Sequence, residues 1–343
     1  MAHPYRIREI AQQSGLSPAT IDRVLNGRTG VRPSTVAEVQ QAITELDRQA
    51  TQLRIGGRTF LVDLVMQTPT RFSTAVRNAL ESELPHLRPA VFRARFHLQE
   101  ESSPAEVVRT LDDIGRRGSQ GVILKAPDDP EVTDAVERLH GRGIPVVTFV
   151  TDVPASRRIA YVGIDNRAAG ATAAYLLSQW RGRGNVLVTL SSNSFLGEDE
   201  RLRGFRDAML HMAPERAIRE VTGTDGLDES MLEAVGEALA DDPAIESIYS
   251  IGGGNAATVA AFDRAGRTYG SFIAHDLDDD NSSLLRSRRI SVVLHHDMRD
   301  DIRRVSRLIM QHHGAVPGPA HSVPSHIQIV TPLNEPSAFS PPR

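Results

Sequence analysis

The amino-acid sequence predicts a small helical head followed by an α/β body of two lobes, each built on a doubly wound parallel sheet. Three amphipathic helical stretches open the chain. From Thr59 onward, short β-branched runs alternate with helical stretches, a pattern typical of parallel sheets with helices on both faces. Because the part from 59 to 343 is longer than one hydrophobic core normally serves, we expect two lobes with a cleft between them.

The first two helices are predicted to flank a tight turn within residues 8–26, REIAQQSGLSPATIDRVLN. Gly15 permits the positive φ that such a turn needs, and Ser17 is placed to cap the second helix. Pro18 suits the first turn of that helix, where no amide donor is required. The pattern matches a helix-turn-helix, whose second helix docks in the major groove of DNA. On spacing alone, an ordinary helical hairpin remains the alternative.

A third helix is predicted to begin near Pro33 and to continue into the linker. Its apolar positions, 36, 39, 43, 46, 50 and 53, keep the alternating spacing of one helix face. Gly56 and Gly57 provide a natural stop. The predicted organisation is a helix-turn-helix domain at 1–46, a helical linker at 47–58 and a two-lobed ligand-binding and dimerisation domain at 59–343.

Eight short apolar runs are the predicted strands of the body, with amphipathic helices between them. Many of those helices end at Gly, as helix C-caps do. The Pro- and His-rich tail from His313 is expected to end in disorder at SAFSPPR. The predicted strands are 59–66, 90–96, 121–125, 145–150, 185–190, 247–251, 271–275 and 291–295.

Charge is distributed unevenly along a chain whose net charge is −4. Residues 1–58 hold eight arginines against five acidic residues, which is +3, and the remainder carries −7. A basic head on an acidic body suits a phosphate-binding module attached to a part that does not bind nucleic acid. Lys125 is the only lysine. The chain has no Cys, and it has neither a secretory leader nor a long apolar run, so we expect a cytoplasmic protein without a membrane partner.

Motifs for catalysis, cofactors and metals are incomplete. No Gly-x-Gly-x-x-Gly follows a strand, and GGGNAAT at 252–258 lacks the Lys-Ser/Thr ending of a phosphate-binding loop. His295 and His296 are adjacent strand residues that point to opposite faces and rarely share one ion. DLDDDN at 276–281 lacks the Gly and terminal Glu of a calcium loop. We therefore expect no enzyme, no cofactor and no metal.

Taken together, these segments resemble the LacI/GalR family of bacterial repressors. The head stretch IREIAQQSGLSPATIDRVLNGRTGV is similar to the family signature, and three body stretches match family elements: YVGIDNRAAGATAAYLL (161–177), ERLRGF (200–205) and AHDLDD (274–279). The resemblance implies a body similar to type I periplasmic binding proteins. It also implies a homodimer that binds a roughly palindromic DNA operator.

The resemblance also places the DNA-facing residues. Arg23 matches a base-reading position and can pair bidentately with guanine, although a phosphate contact or a solvated charge is the alternative. Asn26 can equally be a turn residue. Asp22 stands where the family usually has Ser, and the hinge leucine arrives about four residues early. The expected DNA contacts are Ser17, Pro18, Ala19, Thr20, Arg23, Asn26, Arg28 and Leu53.

Ligand-binding residues are expected at the carboxyl ends of the strands, where open α/β sheets bind ligands. That rule selects 67–72, Lys125, 151–152, 165–166 and the ends of later strands. A cap or surface role is the alternative for each residue taken alone. Together with the family positions, the rule predicts ligand contacts from Phe72, Asp152, Asn166, Arg201, Asn255, Asp276 and His296.

The predicted function is a ligand-responsive transcriptional repressor that senses a small polar metabolite, a sugar or a polyol, in the cleft of its body. Amide, carboxylate and guanidinium groups suit adjacent hydroxyls, and an aromatic ring suits an apolar sugar face. The alternative is a sugar-binding protein of a transport system without DNA function, because the body alone would look the same. An enzyme acting on a sugar is a third and weaker interpretation.

Overall fold

The structure is a computed structural model that describes residues 5–28, 30–55, 58–180, 182–191, 195–224 and 227–336. For residues 48–55 it describes the backbone and not the side chains. The segment 337–343, which the sequence predicts to be disordered, lies outside the described residues.

The head consists of three helices around a small apolar core. They are α1 (Ile7–Ser14), α2 (Pro18–Leu25) and α3 (Pro33–Ile55). Gly15 takes a φ of 71° at the turn, and Ser17 Oγ accepts a hydrogen bond from the Thr20 amide, which caps α2. Ile10 and Ile21 are fully buried against α3. The third helix runs without a break through most of the segment predicted as the linker.

The first lobe of the body, the N-lobe, contains a five-stranded parallel sheet in the order β2-β1-β3-β4-β5. Its strands at 59–67, 121–125 and 146–149 are nearly continuous apolar runs because helices cover both faces, whereas the edge strand at 91–99 alternates apolar and basic residues. The elements are β1 (Thr59–Gln67), α4 (Thr70–Glu83), a 3-10 turn (Leu84–His86), β2 (Val91–Gln99), α5 (Pro104–Arg117), β3 (Gly121–Lys125), α6 (Pro130–Gly141), β4 (Val146–Phe149) and β5 (Ala160–Val162).

The second lobe, the C-lobe, contains a six-stranded sheet in the order β11-β10-β9-β8-β6-β7, in which only β11 is antiparallel to its neighbour. The elements are α7 (Asn166–Gln179), β6 (Asn185–Thr189), α8 (Leu196–Met212), β7 (Ile218–Val221), α9 (Asp228–Asp241), β8 (Ile245–Ser250), α10 (Asn255–Arg264), β9 (Ser271–His275), α11 (Asp279–Arg286), β10 (Val292–His295), α12 (Met298–His312) and β11 (Gln328–Val330).

The chain crosses between the lobes three times, at 163–165, 296–297 and 313–327, and we call these segments the hinge. The helix α12 follows a strand of the C-lobe, yet Ile302 and Val305 on this helix pack in the core of the N-lobe. The tail then returns to the C-lobe, where it adds β11. On the way, Ser325 forms a bridge with Ile164, and the Ser325 amide donates to the Gly163 carbonyl at 2.8 Å. The third crossing is therefore bonded to the first.

The α/β fold with a helical head is confirmed. All eight predicted strands form, with bounds within about three residues of those predicted from the alternation of strands and helices. Three short strands, β5, β7 and β11, were not predicted. Each is only three or four residues long, and a run of that length carries too little periodicity to identify a strand.

Two glycines bring α7 and α8 into close contact. A Cβ on Gly170 would lie 1.9 Å from the carbonyl oxygen of Arg201, and a Cβ on Gly204 would lie 2.0 Å from that of Arg167. Both distances are far below van der Waals contact, so only glycine fits at these positions. The contact sets Asn166, the first residue of α7, opposite Arg201 on α8.

We expect Gly204→Ala to destabilise the protein by about 1–3 kcal/mol or more, because its methyl group would clash with backbone that cannot move away cheaply. The matched control is Gly236→Ala in α9, where an added Cβ meets nothing within 4 Å. That change should stabilise by roughly 0.5–1 kcal/mol through helix propensity. Urea unfolding followed by circular dichroism measures both. Equal midpoints for the two variants would contradict the close contact.

Candidate ligand cleft and nucleic-acid interface

A cavity of about 310 Å³ lies between the two lobes, at the carboxyl ends of their strands. The N-lobe wall comes from the residues after β1 and β2, from the end of β3 and from the residues after β4. The C-lobe wall comes from α8 and from the residues after β6, β8 and β9. Its polar side chains include Gln67, Arg71, Lys125, Thr151, Ser191, Glu198, Arg201, Asn255, Asp276, Asp278 and Asn281.

Two wall residues have a left-handed backbone conformation that residues other than glycine seldom adopt. Val150 has a φ of 68° and Asp276 a φ of 60°, and each follows the end of a strand. Such conformations cost of order 1–3 kcal/mol and persist where the surrounding structure holds them. The Asp276 amide donates to the Leu294 carbonyl at 3.0 Å, and its carbonyl accepts from Asn281 Nδ2 at 2.6 Å. The strain therefore lies at the ligand cleft.

Arg201 is the principal hydrogen-bond donor of the C-lobe wall. Its side chain is only 4% exposed, although it carries a full charge. The Nε atom donates to Asn166 Oδ1 at 2.8 Å, and Nη1 donates to the Ile251 carbonyl at 3.1 Å. Within the described part of the chain no hydrogen bond uses Nη2, so this nitrogen is available to an acceptor in the cavity.

Asp276 supplies an ionised acceptor to the same wall. Burial alone would raise the pKa of this carboxyl group, but the close approach of the His296 ring and the charge of Arg201 hold it well below its usual range. His296 lies behind it, with Nε2 at 3.5 Å from Asp276 Oδ1. The carboxylate is therefore kept charged although only 16% of its side chain is exposed.

Lys125 projects from the end of β3 and contacts both lobes. Its Nζ donates to the Gln67 carbonyl at 2.9 Å and lies 3.8 Å from the ring centroid of Phe195, on the C-lobe side. Burial lowers the pKa of Lys125 to about 8, and the charge of Glu198 opposes part of that effect. The amine still has donors for a ligand, because one hydrogen bond uses only one of three N–H groups.

An ion pair also joins the lobes at the mouth of the cavity. Arg71 on α4 lies 3.2 Å from Asp278, the N-cap residue of α11. Burial raises the pKa of Asp278 to about 6, and the bond to the Asn281 amide and the charge of Arg71 act in the opposite direction. The pair is formed only when the two lobes are this close.

Two buried amide oxygens of the wall have no hydrogen-bond partner among the described residues. They are Gln67 Oε1 at the end of β1 and Asn255 Oδ1 at the start of α10. Asn255 uses its Nδ2 to donate to Asn281 Oδ1 at 2.7 Å, which fixes the orientation of the amide. An unsatisfied buried acceptor costs about 1–3 kcal/mol, which hydroxyl donors of a ligand would recover.

Four of the seven predicted ligand residues line the cavity: Phe72, Arg201, Asn255 and Asp276. The other three lie behind its wall, where local partners hold their polar atoms. Asp152 accepts from Arg158 Nη2 at 2.5 Å and from Thr148 Oγ1 at 2.6 Å. Asn166 is bonded to Arg201, and His296 lies between Asp276 and Asp301.

Some wall residues escaped the sequence analysis. Glu198 is helical, so a rule about strand ends does not select it. Asp278 is the N-cap residue of α11, and its side chain accepts a hydrogen bond from the Asn281 amide. This capping role explains an acid at position 278 without any ligand. Arg71 and Lys125 lie within the segments that the rule selected, but nothing in the sequence shows that their side chains reach the cavity.

The second helix of the head presents most of the predicted DNA-facing residues to solvent. Ser17, Pro18, Ala19, Arg23, Asn26 and Arg28 are exposed, and Thr20 is half-buried. Asn26 Nδ2 donates to Oδ1 of Asp22 at 2.8 Å, and Arg28 lies 3.3 Å from Oδ2 of Asp22. The negative charge of Asp22 is thus compensated within the head, and Asn26 is also the C-cap residue of α2. Leu53 lies in α3, and its side chain is outside the described residues.

Within the described ranges, no group of three or more His, Asp or Glu side chains is placed to hold a metal ion. Among the helices described there, none combines the length and the apolar character needed to cross a membrane.

A helix-turn-helix head joined to a two-lobed body with an interlobe cleft defines a ligand-responsive DNA-binding protein. Residues 6–48 match the family model of bacterial regulatory proteins of the lacI family, and residues 64–312 match that of the periplasmic binding protein domain. The chain belongs to the lacI family of bacterial regulatory proteins, with a periplasmic binding protein domain as its body.

Individual relatives agree with this assignment. The HTH-type transcriptional regulator reg1 of Streptomyces lividans is 27% identical over 270 residues, which are 76% of this chain and 69% of reg1. The sucrose operon repressor of Escherichia coli is 28% identical over 230 residues, 64% of this chain and 66% of the repressor. A solute binding protein from Burkholderia graminis, solved with D-arabinose, has a TM-score of 0.73 at 19% identity, covering 81% of this chain and 97% of that one. This last likeness shows the fold.

Lys125 offers a direct test of the cavity wall, because a chain with one lysine gives one set of labelled lysine NMR signals. We expect its Cε signal to titrate with a midpoint near pH 8, since burial lowers the pKa of Lys125 to about 8. Lys125→Met should remove the signal and so confirm its assignment. A midpoint near the ordinary lysine value of 10.5 would place the amine in solvent and contradict the wall described above.

Proposed function

We propose that this regulator is a repressor that acts as a homodimer in the cytoplasm and responds to a neutral sugar or polyol bound in its interlobe cleft. The observation that carries the proposal is the cavity in which the guanidinium of Arg201 and the carboxylate of Asp276 converge. Guanidinium groups supply only donors and carboxylates only acceptors, so together they match vicinal hydroxyls, which do both.

The charges of the wall support a neutral ligand. Among the buried and half-buried side chains that line the cavity, three cations are matched by three carboxylates, so a charged ligand would leave one charge uncompensated in a poorly solvated space. Glu100 and Glu101 add two carboxylates that are exposed. Phe72 and Phe195 line the same cavity and give aromatic surface for the apolar face of a sugar ring. The cations are Arg71, Lys125 and Arg201, and the carboxylates are Glu198, Asp276 and Asp278.

The names of related proteins support the same ligand class. One relative is a sucrose operon repressor, and one protein of similar fold was solved with D-arabinose. A sugar-binding protein of a transport system is the second candidate, since solute binding proteins share this fold. The helix-turn-helix head, which matches a regulatory family over residues 6–48, favours the regulator.

The mechanism that follows is a linkage between two sites. A sugar that contacts both walls stabilises the closed arrangement of the lobes more than any open one. The two heads of a dimer bind half-sites about one helical turn apart, so a change in lobe arrangement alters their spacing and the affinity for operator DNA. In this account, the sugar releases the operator by changing geometry and leaves the DNA-facing residues untouched.

The DNA-facing assignment is tested with Arg23→Ala. If Arg23 reads guanine, the variant should lose about 1–3 kcal/mol at a selected palindromic site and much less on random duplexes. Arg28→Ala is the comparison, because a phosphate contact should weaken both kinds of DNA equally. Fluorescence anisotropy at several salt concentrations measures both. Equal loss on cognate and random DNA by Arg23→Ala would reassign Arg23 to the backbone.

The ligand assignment is tested with Arg201→Ala and Asp276→Asn. A thermal-shift panel of D-galactose, D-arabinose, D-glucose, sucrose, myo-inositol and glucose 6-phosphate first identifies a sugar that raises the Tm of the wild type. Each variant should weaken that sugar by about tenfold or more, because a charge-assisted hydrogen bond contributes about 1.5–3 kcal/mol.

The control for this test is Arg206→Ala on the same helix, since Arg206 is exposed and pairs with Glu220 outside the cavity. That variant should bind the sugar as the wild type does, and Arg201→Ala and Asp276→Asn should still bind operator DNA. Wild-type sugar affinity in both cleft variants would show that the site is misplaced. Preference for glucose 6-phosphate over every neutral sugar would overturn the neutral-ligand proposal.

A further inference from the structure

His296 connects the ligand cavity to the hinge. The side chain is fully buried and follows the last residue of β10, at the second crossing between the lobes. Its Nε2 faces Asp276 Oδ1 at 3.5 Å, and neither atom has a hydrogen-bond partner among the described residues. Its Nδ1 donates to Oδ2 of Asp301. One imidazole ring therefore contacts a carboxylate of the cavity wall and a carboxylate of α12.

Asp301 extends this contact to the N-lobe and to the third crossing. It lies in the first turn of α12, whose apolar face belongs to the N-lobe core, and it is 1% exposed. Its Oδ1 accepts from Ser325 Oγ at 2.5 Å. Ser325 is bonded in turn to Gly163 at the first crossing. The contacts thus run from the cavity through His296 to all three crossings of the hinge.

The surroundings of His296 favour its charged form. Burial alone would lower the pKa of His296, but the close carboxylate of Asp276, the hydrogen bond to Asp301 and the charges of both acids raise it to about 9. Burial lowers the pKa of the neighbouring His295 to about 4, so that ring is neutral. The charged and titratable groups around His296 are His275 and Asp276 at the end of β9, His295 on β10, Asp297 and Asp301 at the start of α12, and Arg201 on α8.

We propose that His296 is a positioning residue: as an imidazolium between Asp276 and Asp301, it holds the ligand-binding carboxylate in place and couples its occupancy to the hinge. The inference rests on the proposed function insofar as Asp276 binds the ligand. His296 itself does not line the cavity and acts only through Asp276.

Charge and position together support the coupling. The buried carboxylate of Asp301 and the half-buried carboxylate of Asp276, held by different lobes, would repel each other across the hinge without a cation between them. A buried cation between two anions is stable only while both distances are kept, so movement of either carboxylate changes the energy of the other. Asp276 moves with the C-lobe and Asp301 moves with the N-lobe, because α12 packs in the N-lobe core. A ligand that reorients Asp276 therefore acts on α12 through His296.

The first arm of the test needs no sugar. Side-chain ¹⁵N NMR of the full-length protein, with the His296 signals assigned by their loss in His296→Gln, should show a doubly protonated ring at neutral pH. The signals should titrate near pH 9. Asp301→Asn should lower that midpoint, because it removes one counter-charge. The matched control is Asp300→Asn, a half-exposed neighbour on the same helix that pairs with Arg303 and Arg304 and should leave the midpoint unchanged.

The second arm separates ligand affinity from coupling, using the panel sugar that raises the wild-type Tm most. His296→Gln should weaken that sugar by about tenfold, since the charge that orients Asp276 is lost. Saturating sugar changes the operator affinity of the wild type by a coupling factor. In Asp301→Asn this coupling factor should be at least about fivefold smaller, a change within the usual range of couplings between sites. Asp300→Asn should match the wild type in both measurements. Operator affinity without sugar should stay within about twofold of the wild type in every folded variant.

Each result decides the matter. A neutral His296 ring at neutral pH overturns the inference even if sugars bind, and it does so whether or not the proposed function holds. If His296→Gln does not fold, Asp301→Asn, which keeps the ring, carries the second arm. Equal coupling in Asp301→Asn and Asp300→Asn overturns the link to the hinge. If no panel sugar binds the wild type, the proposed function fails, and the NMR arm alone then supports or overturns the imidazolium.

Discussion

The buried guanidinium of Arg201 is the group on which the rest of the cleft depends. A cation that is 4% exposed needs compensating partners. Asn166 and the Ile251 carbonyl accept from Nε and Nη1, and the charge of Asp276 lies close by, while Nη2 remains for an acceptor in the cavity. Asn166 reaches it only because Gly170 and Gly204 let α7 and α8 touch. The backbone of Asp276 takes a strained left-handed conformation to hold its carboxylate nearby. The contact between α7 and α8 and the backbone conformation after β9 thus both serve to compensate the charge of Arg201.

Because the chain crosses between the lobes three times, compensation of buried charge also links the two lobes. Since α12 leaves a C-lobe strand and packs in the N-lobe, a charge in one lobe can be neutralised by a group carried on the other. His296 with Asp276 and Asp301 does this at the hinge, and Arg71 with Asp278 does it at the mouth of the cavity. The distance between the lobes is therefore coupled to the charges of the cavity wall. A ligand that alters the position of a wall charge must also alter the arrangement of the lobes.

Much of the fold follows from the sequence, because alternation of β-branched runs and amphipathic helices is a signal spread over many residues. The cleft follows in part. The rule that ligands bind at strand ends placed Phe72, Asn255 and Asp276 at the wall, but it could not give the direction of each side chain. Asp152 turns toward Arg158, a pairing of residues six positions apart that only tertiary packing determines. The pair of Arg71 and Asp278 joins segments far apart in the chain, so no local pattern marks it. The tail strand β11 is too short to be recognised.

In the proposed mechanism, sugar binding and operator binding are linked by one coupling free energy. Thermodynamic linkage requires the two effects to be reciprocal, so the factor by which sugar weakens operator binding must equal the factor by which operator weakens sugar binding. Calorimetric titration of the sugar into the dimer, with and without a saturating operator duplex, measures this directly. We predict weaker sugar binding on the operator, by the same factor that anisotropy gives for the operator with and without sugar. Equal sugar affinity in the presence and absence of operator would contradict the account.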